Sequence, residues 1–279
     1  SVVFSAELGE WQRWRRQGPK VNTGMALLLS TSGTTGSPKL VRLSMANVTH
    51  NAHAIGNFLQ LSAQATAITS LPQHYSFGLS IINSHLLAGG RLALTDAAVT
   101  ERRFWDHFEM ASVDSLSGVP STFELLQSMR FERLSLPSLR TITQAGGRLP
   151  EKIVKNFADL ATENGWQFFV MYGQTEATAR MSYLAPDDVV RFPTSIGRPI
   201  SGGRFELVDE CQRPILAPFV EGELVYYGPN VMLGYAESKE DLVRGDDMLG
   251  RLATGDLAER DYAGYFYIRG RKKRFIKIF

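Results

Sequence analysis

Short apolar runs and amphipathic stretches follow one another through the first two thirds of the chain. The apolar run at 25–29 and the segment 39–43 both suit strands, with a polar loop between them. Ser44 is placed to cap a helix reaching about Leu61, because Met45, Val48, Ala52, Ile55 and Leu59 recur along one helical face. The pattern then predicts a strand at 65–71, a helix through Ile81 to Leu87, a Gly89-Gly90 break and a strand at 91–94. Helix 101–111, strand 114–119, helix 120–129, strand 139–143, helix 151–163 and strand 167–171 continue the alternation. Strands alternating with helices imply an α/β fold with a doubly wound, mostly parallel sheet.

From about Pro193 the texture changes. Short alternating runs at 204–208, 222–227 and 265–268 are separated by turn residues such as Gly228-Pro229 and Asp261-Tyr262-Ala263-Gly264. The expected organisation is an α/β subdomain over 1–192 and a smaller β-rich subdomain, a distorted barrel, over 193–279.

Composition narrows the classes. Apolar residues make up 44% of the 279, enough for a core, and the formal net charge of +2 gives no strong pull toward nucleic acid or an anionic surface. No apolar run approaches the roughly 20 residues of a membrane-spanning helix, and residues 1–20 lack a signal-peptide pattern. The single cysteine, Cys211, sits among turn residues and is read as incidental; it fits a reducing, cytoplasmic setting. A first residue other than Met suggests a fragment or a processed chain.

Candidate chemistry gathers in loops. Ser30-Thr31-Ser32-Gly33-Thr34-Thr35-Gly36-Ser37-Pro38-Lys39 combines hydroxyls, glycines and a lysine, a mixture that suits wrapping a polyphosphate and equally suits a Ser/Thr/Gly-rich surface turn. It lacks the G-x-x-x-x-G-K-[ST] pattern and is followed by a strand, so its donors must come from the loop itself. In a doubly wound sheet ligands bind at the carboxyl ends of strands. That directs attention to the loops 72–78, 118–121, 145–147 and 172–176. In the last, Tyr172 offers an aromatic face, Thr175 a hydroxyl and Glu176 a carboxylate for Mg²⁺, although a capped turn would use the same residues. Thr254-Gly255-Asp256 suits gripping vicinal hydroxyls, or a type I turn. The run Arg269 to Arg274 can be a solvated face or a nucleic-acid patch; interleaved Phe275, Ile276 and Ile278 argue against a disordered basic tail.

Taken in order, these stretches resemble the adenylate-forming superfamily of acyl-CoA synthetases, luciferases and peptide-synthetase adenylation domains. The matching residues are Thr31 to Lys39, His74 with Gly78, Tyr172-Gly173-Gln174-Thr175-Glu176, Gly222-Glu223-Leu224, Gly228, Gly234-Tyr235, Thr254-Gly255-Asp256 and Gly270-Arg271. The resemblance implies that Thr31, Ser32, Gly33, Thr34, Thr35, Gly36 and Lys39 embrace the ATP β- and γ-phosphates, with Thr35 and Glu176 on Mg²⁺. It implies Tyr172 and Gly173 at adenine, Thr175 at the α-phosphate, and Asp256 and Arg271 at the ribose. His74 would border the substrate carboxylate, Ala145, Gly146 and Gly147 would wall the acyl group and adenine, and Lys273 would mark a hinge to a further C-terminal domain. Lys39, His74, Thr175 and Glu176 are then the catalytic set.

The implied activity is ATP-dependent conversion of a carboxylic acid to acyl-AMP with release of pyrophosphate, followed by thioester formation. The acceptor would be CoA or, alternatively, the phosphopantetheine of a carrier protein. A carboxylate attacking an anionic phosphate needs charge neutralisation and alignment, and being already ionised it needs no general base; the absence of an obvious Ser-His-Asp set agrees. The stretch 73–78 has no carboxylate to hold an α-amino group, which favours a fatty or aromatic acid. A core histidine remains the plain reading of His74. Because the family's C-terminal domain and much of its N-terminal part fall outside this chain, weak adenylation by the chain alone is expected. A non-catalytic AMP- or ATP-binding module is the reading from another class, and a nucleic-acid binder is disfavoured by the charge.

Overall fold

The computed structural model describes residues 2–5, 10–13, 20–31 and 39–272. The chain begins with an antiparallel pair, β1 (Val2–Ser5) and β2 (Glu10–Arg13). A second antiparallel pair follows, β3 (Met25–Ser30) and β4 (Leu40–Ser44), flanking the Ser/Thr/Gly-rich loop. Helix α1 (Met45–Phe58) starts at the expected cap, where Ser44 Oγ accepts from Asn47 N at 3.0 Å and Asn47 Oδ1 accepts from Ser44 N at 2.8 Å. Its face is the expected one, with Ala52, Ile55 and Leu59 buried and only Met45 left in solvent.

The alternating region then runs β5 (Thr66–Ile68), α2 (Ser76–Leu87), β6 (Arg91–Ala93), α3 (Arg102–Met110), β7 (Ser115–Gly118), α4 (Pro120–Ser128), β8 (Thr141–Gln144), α5 (Glu151–Asn164) and β9 (Gln167–Tyr172). Antiparallel β10 (Ser182–Leu184), the short α6 (Pro186–Val189) and β11 (Arg198–Pro199) complete it. One departure matters for the site. α2 begins at Ser76, so the second half of the expected loop 72–78 is the first helical turn.

The seven-stranded sheet has the order β11-β10-β9-β8-β7-β5-β6, parallel from β9 to β6. The chain moves outward from β5 to β6, then crosses back so that β7 pairs on the other side of β5. That reversal makes the sheet doubly wound and opens a crevice at the carboxyl ends of its strands. Alternate residues of β9 serve the two faces. Phe168 packs with Phe104, Phe123 and Phe157 on the α3–α5 side, while Phe169 packs with Ile55, Phe77 and Ile81 on the α1–α2 side.

The remaining strands are β12 (Arg204–Val208), β13 (Gly222–Tyr227), β14 (Gly234–Ala236), β15 (Arg251–Arg260) and β16 (Phe266–Arg271). Four of them form an antiparallel sheet in the order β12-β13-β15-β16. Two features differ from the sequence reading. Thr254-Gly255-Asp256 is not a turn but lies inside the ten-residue β15, kinked where Gly255 takes φ +72°. And β14 leaves its neighbours to pair with β4, tying residues 234–236 to the strand after the Ser/Thr/Gly-rich loop.

Arg42 on β4 holds that junction. It is fully buried, and its guanidinium donates to Tyr235 O (3.2 Å), Arg244 O (2.7 Å), Gly245 O (3.1 Å), Leu233 O (3.3 Å) and Asp247 Oδ2 (2.5 Å). A buried cation is tolerated when every donor is answered. Arg42→Ala strands Asp247 and four carbonyls, and is expected to cost about 3–5 kcal/mol of unfolding free energy in urea titrations.

Candidate functional site

At the carboxyl end of the parallel sheet lies a cavity of about 450 Å³, bordered by Gly146, Gly147, Tyr172, Gly173, Asp256 and Arg271 among others. These six expected residues meet in one place although they come from β8, β9, β15 and β16 and the loops beyond them.

The centre of the arrangement is the Asp256 carboxylate, 5% exposed. Its Oδ2 accepts from Tyr172 Oη at 2.6 Å and from Gln174 Nε2 at 3.0 Å, and its Oδ1 accepts from Arg271 Nε at 3.0 Å. Register explains the last contact, since Asp256 and Arg271 are direct partners in the β15–β16 ladder. Gln174 also donates to Thr254 O at 3.0 Å, anchoring the loop after β9 to β15. Burial, and next the Asp256 charge, hold the Tyr172 phenol well above its ordinary pKa, so it stays a neutral donor. The ring rests against Phe205, with centroids 6.3 Å apart.

The loop after β8 is shaped by glycine and by a buried amide. Gly146 takes φ +81°, and a Cβ there would stand 2.5 Å from Tyr75 Oη. Gln144 Nε2 donates to Gly147 O at 2.8 Å, fixing the loop's curl. Ala145 is buried and packs with Phe77 and Met171 on the α1–α2 face. After β9 the chain turns so tightly that a Cβ on Gly173 would fall 1.9 Å from Ala179 O. That turn aims Thr175 at α2, where its Oγ1 lies 3.0 Å from Ser76 Oγ.

A second group sits beside the first. Glu176 Oε1 accepts from Tyr235 Oη at 2.8 Å, and Lys39 Nζ pairs with Glu237 Oε1 at 2.5 Å, 5.7 Å from the centre of the Tyr235 ring. The strand pairing of β14 with β4 therefore brings Lys39, Tyr235 and Glu176 into one neighbourhood. Thr31, half-buried, ends the described chain before the Ser/Thr/Gly-rich loop. Ser32, Gly33, Thr34, Thr35, Gly36, Ser37 and Pro38, and residues 273–279 with the expected hinge Lys273, lie outside the described residues. His74 is exposed in the turn that precedes α2, which removes the core-histidine reading. Phe123 packs against Phe157 and Phe168 on the α3–α5 face of the sheet.

Gln144, Gln174, Ser76 and Arg42 were not singled out from the sequence. Gln174 lies inside the 172–176 motif, so its neighbours were the available signal; for the others only the fold supplies one.

A crevice at the strand ends of a doubly wound sheet, lined by a buried carboxylate and an aromatic ring, is the place where α/β proteins of this class bind their ligands. The model of the AMP-binding enzyme family matches residues 4–236, and the chain belongs to that family. It is 30% identical over 253 residues to a medium-chain fatty-acid–CoA ligase of Escherichia coli (strain K12), covering 90% of this chain and 44% of that one. To an indoleacetate–CoA ligase of Aromatoleum aromaticum it is 29% identical over 262 residues, covering 92% and 50%. Among solved structures, the O-succinylbenzoate Coenzyme A Synthetase of Bacillus subtilis in complex with AMP superposes with a TM-score of 0.77 at 26% identity, over 91% of this chain and 50% of that one. The same synthetase with ATP and magnesium ion gives 0.77 at 25% identity, over 93% and 52%. The chain spans about half the length of the curated relatives it matches.

The raised Tyr172 pKa carries a stability prediction. Its contribution is fully present below the unfolded tyrosine value of about 10 and is lost as pH rises toward the folded value. Wild type is expected to lose more unfolding free energy between pH 8 and pH 11 than Tyr172→Phe, read by denaturant titration at each pH.

Proposed function

We propose that this chain is the adenylate-binding core of an ATP-dependent acid–thiol ligase. The reaction is conversion of a fatty or aromatic carboxylic acid to acyl-AMP with release of pyrophosphate, then transfer of the acyl group to CoA. The observation that carries this reading is the buried Asp256 carboxylate with Tyr172, Gln174 and Arg271 at the mouth of the 450 Å³ cavity. The named CoA ligases among its relatives support a CoA acceptor over a carrier protein.

Each residue has a task that its surroundings suit. Asp256 Oδ2 is committed to Tyr172 and Gln174, whereas Oδ1 has only Arg271 among the described residues, and the Arg271 side chain is 80% exposed and able to yield. Oδ1 is thus the atom to accept from a ribose hydroxyl, with Arg271 beside it. Tyr172, tethered through its hydroxyl, offers a fixed ring face to adenine, and Gly146 and Gly147 line the same cavity. Thr175 Oγ1 hydrogen-bonds the α-phosphate. Lys39 exchanges its half-exposed partner Glu237 for the outer phosphates, a cheap exchange because surface pairs are weak.

Glu176 fits Mg²⁺: Tyr235 holds Oε1, and Oε2 has no hydrogen-bond partner among the described residues, leaving an oxygen for a cation that prefers one or two carboxylates plus phosphate oxygens. Bound there, the ion would neutralise phosphate charge. The acid's carboxylate oxygen attacks the α-phosphorus, the new O–P bond forms as the bond to the bridging oxygen breaks, and pyrophosphate leaves. The residues named align the two anions and screen their repulsion, with no proton to remove. His74, exposed in the turn that precedes α2, meets the acid's carboxylate.

ATP–pyrophosphate exchange by the full-length protein across fatty, aryl and amino acids tests the reading; exchange with none of them sinks it. Asp256→Ala is expected to weaken AMP binding at least about tenfold, the loss of a hydrogen bond to a charged group, measured by calorimetry. His74→Ala is expected to raise the acid KM in the same exchange assay; an unchanged KM removes His74 from the site.

A further inference from the structure

Two arginines among the described residues are wholly buried, and they are treated oppositely. Arg42 has an acceptor for each of its three nitrogens. Arg180, between the turn at Thr175–Ala177 and β10, is 1% exposed, yet its Nε and Nη1 have no hydrogen-bond partner among the described residues. Its guanidinium lies 4.8 Å from the centre of the Phe77 ring, which supplies a cation–π contact and no acceptor. Burial lowers its pKa to about 9, so it remains a cation at neutral pH.

The surroundings are also left open. Asn51 donates Nδ2 to the Arg180 carbonyl at 2.8 Å, and its Oδ1 has no partner among the described residues. His85 Nδ1 lies 2.9 Å from Ile81 O, which assigns that nitrogen the proton, and Nε2 has no partner among the described residues. Desolvation, with the Arg180 charge as a lesser cause, keeps His85 neutral. A buried cation without a counter-charge is costly unless something anionic answers it.

Its position says where that anion would come from. Phe77, under the guanidinium, follows Ser76, which contacts Thr175, and packs with Ala145 and Met171. Phe77 lies on α2, one residue after the Ser76 that meets Thr175, so Arg180 packs on the α2 side of the sheet. Resting on the acid-activation reading above, we propose that Arg180 selects acids bearing a second carboxylate at the end remote from the one being activated. The activated carboxylate lies by Thr175 and His74, the apolar body runs along Phe77, and the remote carboxylate pairs with Arg180. Arginine suits this role because its guanidinium is weakly hydrated and matches a carboxylate in shape.

The test compares matched pairs of acids, straight-chain and phenyl, with one carboxylate or two at equal length, in ATP–pyrophosphate exchange by the full-length protein. Wild type should favour the dicarboxylic member at least tenfold in kcat/KM, mainly through KM. Arg180→Met should bring the ratio to within about threefold of one, and Arg180→Lys should keep part of the preference. The Arg180→Met protein without ligand should melt no lower than wild type, because it loses an unanswered charge. Equal or better use of the monocarboxylic acids by wild type overturns the proposal while leaving acid activation standing. A lower melting temperature with an unchanged ratio also overturns it, making Arg180 a structural group satisfied by buried water. Exchange with no acid fails both readings. If Arg180→Met does not fold, the wild-type ratio and Arg180→Lys still decide.

Discussion

The Asp256 carboxylate is the contact on which the site depends. It lies on β15 of the antiparallel sheet, while Tyr172 and Gln174 come from the end of β9 in the parallel sheet. Three donors converge on its two oxygens, so a charge that would be expensive to bury is answered at 2.6–3.0 Å. Without it, the Tyr172 ring would lose its tether and the loop after β9 one of its anchors on β15. The cavity mouth is thus set by an electrostatic contact between two sheets rather than by either sheet alone.

A second junction works by the same physics at a different place. The chain at 233–247 is drawn onto β4 by ladder bonds from β14 and by the buried Arg42 guanidinium. This carries Tyr235 to Glu176, and Glu237 to Lys39. Residues nearly two hundred positions apart in sequence become neighbours because one strand has an open edge and one cation needs carbonyls. Arg180 throws this into relief, since an equally buried guanidinium leaves its Nε and Nη1 without a hydrogen-bond partner among the described residues.

Much of the architecture was legible from periodicity. The α1 face, its Ser44 cap, the alternating strands and helices and the bounds of β12 and β13 follow from local rules of spacing, capping and turn chemistry. Glycine positions were informative for the same reason, as at Gly146, where a side chain would meet Tyr75. The start of α2 was misplaced because His74-Tyr75-Ser76 carries polar, loop-like residues, and helix formation there is decided by packing of Phe77 and Ile81 against β9.

The sequence by itself determined the alternation of strands and helices between the Ser/Thr/Gly-rich loop and β9, and which loops carry hydroxyls, carboxylates and cations at the sheet's ligand end. Only the tertiary structure decided that Thr254-Gly255-Asp256 is a kinked strand rather than a turn, that β14 pairs with β4, and that Gln144 and Gln174 are bracing groups. The reason is physical. Helix periodicity and capping are set by residues within one or two turns of each other, whereas strand pairing and the satisfaction of buried polar groups depend on partners that no local pattern encodes.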